Sequence, residues 1–247
     1  MNFTQYDHSF CEASIYGGPP EYFNSLTSLF ITYVGFYGLK NNFHFNNDIF
    51  LLYAALFING LTSCAYHWTN YLGFGLLDRG SMILIAYPSI SAGIKELNHL
   101  YNFSSLNNKL LLLFNQLYFT ILITSFGLGY EETFNGIFGV FLAYILIFLF
   151  MVYNKRHYFH DRKINQYLLY GFIGVLMILI AGISWIIIEK LCNRYTIMKY
   201  LQGHALWHIF VSSGGYLASL LLTSISIHRN KMLPWYNMND LYITVKN

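Results

Sequence analysis

Two histidines near the C-terminal end, His204 and His208, stand four residues apart in His-Ala-Leu-Trp-His. On a helix, residues i and i+4 project from one face, one turn apart, so both imidazoles can reach a single metal ion. A third histidine, His67, follows Ser63 at the same spacing. Three protein ligands with an open fourth position are typical of catalytic zinc, whereas structural zinc sites are closed by four ligands. The pattern predicts a zinc site made of these three histidines.

Each of these polar residues also has an ordinary structural interpretation. The histidine pair flanks Trp207, and such a group can lie at a membrane interface with its rings directed to the headgroups. The Ser63 hydroxyl can bond to its own helix backbone. Asp78 is as well suited to cap the N-terminus of the next helix as to act as a base. These alternatives stay open for each residue taken alone.

The composition indicates a membrane protein. Only 10% of the 247 residues are charged, against roughly 25% in soluble domains. Apolar residues make up 55% of the chain, and the mean hydropathy is +0.42. A soluble fold could not coat its surface with so little charge. The net charge of +3 comes without a basic patch, so nothing here indicates nucleic-acid binding.

The apolar stretches predict the elements that position the candidate site. Seven stretches of at least 15 residues lack Asp, Glu, Lys and Arg: residues 22–39, 49–77, 80–94, 110–130, 133–154, 164–188 and 200–228. A span needs about 17 residues or more, and only the third is shorter; Arg79 and Lys95 beside it can snorkel to the interfaces. We therefore expect an all-α, polytopic membrane protein. It would be one seven-transmembrane-helix domain over 1–247, with a short acidic N-terminal segment, 1–21, and a tail, 229–247.

The loop charges predict the orientation of this bundle. Lys and Arg residues divide four against ten between the two sides, and the richer side faces the cytosol. The N-terminus should therefore face the lumen or periplasm, and the C-terminus the cytosol. Helix parity then brings Ser63, His67, Asp78, His204 and His208 to the outer face. The membrane would be that of the ER or Golgi in a eukaryote, or the inner membrane in a bacterium.

The order and spacing of the motifs resemble those of the alkaline ceramidases. These belong to a superfamily of seven-helix membrane hydrolases that also includes the adiponectin-receptor group. The resemblance spans nearly the whole chain and rests on Ser63-x3-His67-x-Thr69, Leu76-Leu77-Asp78 and His204-Ala-x-Trp207-His208-Ile209. It implies a lipid substrate from the bilayer, ceramide, cut into a sphingoid base and a fatty acid. No protein partner can be inferred.

The resemblance also implies roles for the site residues. His67, His204 and His208 would be the ligands of Zn²⁺, which lowers the pKa of bound water to about 7. Asp78 would take the proton of that water and return it to the leaving amine. The Ser63 hydroxyl would help zinc to stabilise the oxyanion formed from the amide carbonyl.

A calcium site in the acidic N-terminal segment is a further property of the family. Glu12 and Glu21 match ligand positions, but Ser9 and Ser14 stand where the family usually has Asp and Asn. This leaves few oxygens for an ion that takes 6–8 of them. The sequence therefore predicts at most a weakened Ca²⁺ site.

Cysteine usage and the resemblance together favour one disulfide. Cys11 and Cys192 both fall on the predicted outer side, where an oxidising compartment permits a bridge, and the resemblance supports their pairing. Two free thiols are the alternative. Cys64 lies within the second predicted helix, where packing is its expected role.

Other classes of function remain open at this point. One is a heptahelical receptor or sensor whose zinc is only structural, and another is a transporter or scaffold with interfacial histidines and no metal. A lipid ester hydrolase would use the same zinc chemistry as an amidase. Asp78 separates enzyme from receptor, because a structural zinc site needs no general base.

Overall fold

The computed structural model describes residues 10–42, 47–127, 131–159 and 163–232. Their regular secondary structure is helical, and none of these described residues forms a strand. The α helices are α1 (Ala13–Tyr16), α2 (Tyr22–Asn42), α3 (Asn47–Thr69), α4 (Leu72–Tyr101), α5 (Ser105–Gly127), α6 (Glu131–Asn154), α7 (Lys163–Leu191), α8 (Thr196–Tyr200) and α9 (Gly203–Met232); a 3-10 turn spans Arg156–Tyr158. Ser9, most of the predicted tail and the start of the N-terminal segment lie outside the described residues.

Within the described residues, three helices are long and apolar enough to cross a membrane. They are Asn47–Thr69, Lys163–Leu191 and Gly203–Ile227. The all-α prediction is therefore confirmed for the described part of the chain. The count of seven spans, the single domain and the orientation stay predictions.

The second apolar stretch, 49–77, does not form one helix. The chain leaves α3 after Thr69, passes through Asn70 with a φ of 55°, and re-enters a helix at Leu72. Asparagine tolerates this left-handed conformation better than most residues, so a turn forms inside an uncharged stretch. Tyr71 is the N-cap of α4. The interpretation of Asp78 as the cap of this helix is therefore wrong, because Asp78 lies more than a turn inside it.

The helices that carry the candidate site pack closely on one another. α2 contacts α3 and α9, α3 contacts α4, and α9 contacts α7. The α7–α9 approach depends on small residues: a Cβ on Gly174 would lie 2.3 Å from the Gly214 carbonyl oxygen. Close backbone approach at small residues is a common way for helices to associate within a membrane.

Away from the candidate site, apolar side chains hold the opposite end of the bundle together. Buried residues of four helices meet there: Leu97 and Leu100 of α4, Phe148, Leu149 and Val152 of α6, Ile164 and Leu168 of α7, and Leu221 and Ile225 of α9. This packing fixes α9 relative to α4 and α7. It leaves the C-terminal end of α3 and the N-terminal end of α9 to form the polar centre.

Candidate metal centre and active site

Three buried histidines meet where α3 ends and α9 begins. His67 lies in the last turn of α3, and His204 and His208 lie in the first two turns of α9. One ligand nitrogen from each lies within 4.8 Å of the others. The Nε2 atoms of His67 and His204 are 3.1 Å apart. Two ligands of a tetrahedral zinc, at 2.0–2.1 Å from the ion, lie about 3.3 Å apart, so this donor set fits such an ion.

Glu21 orients the first of these imidazoles. Its Oε2 lies 2.7 Å from His67 Nδ1, and both side chains are fully buried. A metal-ligating histidine usually donates its other ring N–H to such a carboxylate, which leaves Nε2 for the metal. Burial acts to raise the pKa of Glu21, but the His67 imidazole, the Asn24 amide and the Phe10 N–H bring that pKa below its usual value.

Helix α2 orients the third imidazole. His208 Nδ1 lies 3.1 Å from Thr27 Oγ1 and 3.2 Å from Ser28 Oγ. An Nδ1–H that donates to either hydroxyl leaves Nε2 as the ligand atom. Sequence reasoning assigned no role to these two hydroxyls, because a Ser or Thr inside a predicted span normally bonds to its own backbone.

The candidate base and its neighbours come from one face of α3 and the start of α4. Asn59, Ser63 and His67 recur every four residues along α3. The Asn59 side-chain amide donates to Asp78 Oδ1 at 3.0 Å, and the Ser63 side chain lies beside Asp78. The structure thus places the predicted serine and aspartate in contact, beside the histidines. Asn59 was not singled out in the sequence, although its i−4 spacing from Ser63 is a usable signal.

An aromatic and disulfide-linked segment covers this centre. The Phe10 ring stacks on His204 with centroids 4.0 Å apart, and Trp185 meets the same imidazole edge-on at 4.7 Å. Cys11 is joined to Cys192 by a disulfide, with their Cα atoms 6.0 Å apart. The structure therefore contains the disulfide that the sequence resemblance implied. It ties the N-terminal segment to the chain just beyond α7.

A comparison with family models decides the family. The Ceramidase model matches residues 7–239, nearly the whole chain. The chain belongs to the ceramidase family. No curated protein matches it. Ceramidase membership implies a hydrolase that acts on amide bonds, with ceramide hydrolysis as the activity suggested. The resemblance drawn from the sequence motifs is confirmed.

In this ceramidase-family chain, the residues matched to calcium ligands make other contacts. Glu12 accepts the backbone N–H groups of Phe23 at 2.6 Å and Asn24 at 2.9 Å, in the first turn of α2. Burial raises the pKa of Glu12, and these two N–H groups partly oppose the rise. The Ser14 hydroxyl donates to the Cys11 carbonyl at 2.7 Å. Calcium binding by Glu12 and Glu21 stays a prediction. In the structure, Glu12 caps the N-terminus of α2, and Glu21 contacts His67.

Proposed function

We propose that this ceramidase-family chain is a zinc-dependent, intramembrane amide hydrolase that cleaves ceramide-like lipids into a sphingoid base and a fatty acid. The observation that carries the proposal is the convergence of three buried imidazoles within 4.8 Å. We place the site on the lumenal or periplasmic side of a single seven-span domain, with the N-terminus outside and the tail in the cytosol.

The metal would be held by His67, His204 and His208. When bound, zinc supplies a Lewis acid and lowers the pKa of a coordinated water to about 7. Glu21 fixes the ring of His67 through its 2.7 Å contact with Nδ1. Phe10 and Trp185 pack on the His204 ring and limit the access of bulk water to that side of the site.

Asp78 is the general base and acid of the proposal. It takes a proton from the attacking water and returns it to the leaving amine. Asn59 holds its Oδ1 at 3.0 Å. The Ser63 hydroxyl lies beside Asp78 and donates to the oxyanion that forms on the amide carbonyl. Both residues thus act at the reacting atoms.

The place of Asp78 favours a hydrolase over a receptor with a structural zinc. A structural site needs four protein ligands and no base, whereas here three histidines lie beside a hydrogen-bonded carboxylate. The lipid reaches the site from the bilayer, with its amide near the interface and its tails between the helices.

The test is ceramide turnover by the full chain in detergent, with zinc content measured on the same samples. We expect about one zinc per chain and equal amounts of sphingoid base and fatty acid from wild type. His208→Ala should lose both zinc and turnover, and Asp78→Asn should keep zinc but lose turnover. The matched control is His157→Ala, an exposed histidine of the 3-10 turn. Equal turnover in all four proteins, or turnover unaffected by a zinc chelator, would remove the proposal.

A further inference from the structure

Three exposed aromatic side chains meet beside the candidate metal centre, one from each of α1, α2 and α3. Tyr16, Tyr22 and Trp68 are 50%, 49% and 56% exposed. The rings of Tyr16 and Tyr22 pack edge-to-face with centroids 5.4 Å apart, and those of Tyr22 and Trp68 do the same at 6.0 Å. We call these three residues the aromatic rim. Each combines an apolar ring with a polar tip, and such side chains collect at the boundary between lipid tails and water.

The exposed surface of the protein changes character at the aromatic rim. Toward the middle of the helices, exposed side chains on the same faces are apolar: Leu26 lies one turn after Tyr22 on α2, and Leu61 lies two turns before Trp68 on α3. On the other side, the chain between α1 and α2 is Gly-Gly-Pro-Pro, residues 17–20, without a long apolar side chain. α3 is long and apolar enough to cross a membrane, and Trp68 lies in its last turn. The aromatic rim therefore lies where an apolar, lipid-facing surface ends.

Short contacts tie the aromatic rim to the candidate metal centre. Tyr22 and Trp68 directly follow Glu21 and His67 in the chain. The Glu21 backbone N–H donates to the His67 carbonyl at 3.0 Å, and the Glu21 carboxylate contacts His67 Nδ1 at 2.7 Å. The start of α2 and the end of α3, which each carry one ring of the rim, are thus held together at a proposed metal ligand. The depth of the rim in a bilayer therefore fixes the depth of the centre.

We infer that the aromatic rim binds a lipid surface, at the boundary between headgroups and acyl chains, and so sets the depth at which the metal centre meets its substrate. The inference rests on the proposed function and adds the surface that aligns the site with the bilayer. A ceramide in a bilayer keeps its tails in the hydrocarbon and its amide and hydroxyl groups at that boundary, because burying these polar groups unpaired is costly. A rim at the same boundary brings the reacting amide level with the three histidines.

The first test locates Trp68 in a bilayer and needs neither zinc nor substrate. The full chain is reconstituted in phosphatidylcholine vesicles whose acyl chains carry bromine, a contact quencher of indole fluorescence, either near the headgroup or near the terminal methyl. The difference between wild type and Trp68→Leu isolates Trp68 from the other tryptophans. We expect strong quenching of that difference by the shallow bromine and weak quenching by the deep one. Stronger quenching by the deep bromine, or none by either, would overturn the inference, because Trp68 would then lie in the acyl core or against protein or water.

The second test compares ceramide in vesicles with a short-chain, water-soluble ceramide analogue, which a bilayer does not align. Trp68→Leu and Tyr22→Leu should each raise the KM for vesicle ceramide by about 2- to 10-fold, the worth of one aromatic contact. The value of kcat and the turnover of the soluble analogue should not change. The matched control is Phe36→Leu, 57% exposed on the same helix and about 21 Å along it from Tyr22 at 1.5 Å per residue. It should equal wild type with both substrates, because it lies away from the boundary.

Zinc content, measured on each variant, separates a lipid contact from support of the neighbouring ligand. A Trp68→Leu chain that loses zinc, equal losses of turnover with both substrates, or a Phe36→Leu chain as impaired as Trp68→Leu would each overturn the inference. If Trp68→Leu does not fold, Tyr22→Leu carries the turnover test, and Trp68→Phe replaces it in the fluorescence test. A wild-type chain that neither retains zinc nor cleaves either substrate would contradict the proposed function, whereas bromine quenching alone decides where the rim lies.

Discussion

Phe10 stacks on His204, with ring centroids 4.0 Å apart and 24° between the ring planes. The same residue donates its backbone N–H to Glu21 Oε1 at 2.9 Å, and Glu21 in turn contacts His67. A segment outside the long helices therefore touches ligands from both α3 and α9. Whatever fixes this segment also fixes the candidate metal centre.

The disulfide next to Phe10 should stabilise both the fold and the metal centre. Cys192→Ser removes the bridge between two cysteines that lie 181 residues apart in the sequence, and so releases the N-terminal segment. We expect unfolding to become easier by about 2–4 kcal/mol, with faster loss of zinc to a chelator. Thermal unfolding in detergent and zinc analysis measure the two effects. Cys64→Ser is the control, because Cys64 is a free cysteine; equal stability of the two variants would contradict this role.

Glu21 should act on the metal rather than on the chemical step. Glu21→Gln keeps an oxygen for the Phe10 N–H but removes the charge beside His67 Nδ1. We expect zinc affinity to fall by about 10- to 100-fold, with turnover largely restored by excess zinc. Chelator competition and turnover against zinc concentration measure this. The control is Glu189→Gln, whose carboxylate accepts the Cys11 N–H at 2.8 Å. Unchanged zinc affinity in Glu21→Gln would show that the carboxylate does not support the ligand.

Asn59 should have the opposite effect, on the base rather than on the metal. Its amide donates to Asp78 Oδ1 at 3.0 Å and to Ser81 Oγ at 2.8 Å. Asn59→Ala should lower kcat by about 10-fold, as expected for the loss of one hydrogen bond to a charged group, and leave zinc content at the wild-type level. Steady-state turnover and metal analysis on one preparation test both statements. Asn193→Ala, at an exposed position, is the control; a loss of zinc in Asn59→Ala would contradict the assignment.

The sequence predicted the parts of the site that repeat along one helix. His204 and His208 share a face of α9, and Ser63 and His67 share a face of α3, so spacing alone grouped them. Glu21, Thr27 and Ser28 were missed as partners of histidines, because those contacts arise only when α2 docks on α3 and α9. Spacing along one chain segment carries no information about such docking.

Helix ends were predicted poorly where they were inferred from the positions of charged residues. The turn at Asn70 lies inside an uncharged stretch, and Asp78 and Arg79 lie inside α4 rather than at its boundary. Charged residues are costly in a bilayer, and they persist where they face the protein interior or a polar cavity. Asp78, bonded by Asn59, is such a case. A charged residue between apolar stretches can therefore indicate a functional position inside a long helix as well as the end of a helix.

The α7–α9 contact offers a test of how tightly the centre is held, using two adjacent glycines. A Cβ on Gly214 would lie 2.4 Å from the Gly174 carbonyl oxygen, a backbone atom that cannot move aside, whereas a Cβ on Gly215 meets nothing within 4 Å. Gly215→Ala should be neutral or raise stability by up to about 1 kcal/mol, because alanine is the better helix former. Gly214→Ala should lower stability by about 1–3 kcal/mol, the usual range for overpacking.

The same pair of variants should separate in metal binding. His204 and His208 belong to α9. A displacement of α9 away from α7 therefore moves two of the three proposed ligands relative to His67. We expect Gly214→Ala to lose zinc to a chelator sooner than Gly215→Ala, in parallel with its lower unfolding temperature. Equal unfolding temperatures and equal zinc retention in the two alanine variants would show that the close approach of Gly174 and Gly214 does not set the position of α9. The segment around Phe10 would then be what holds the three histidines together.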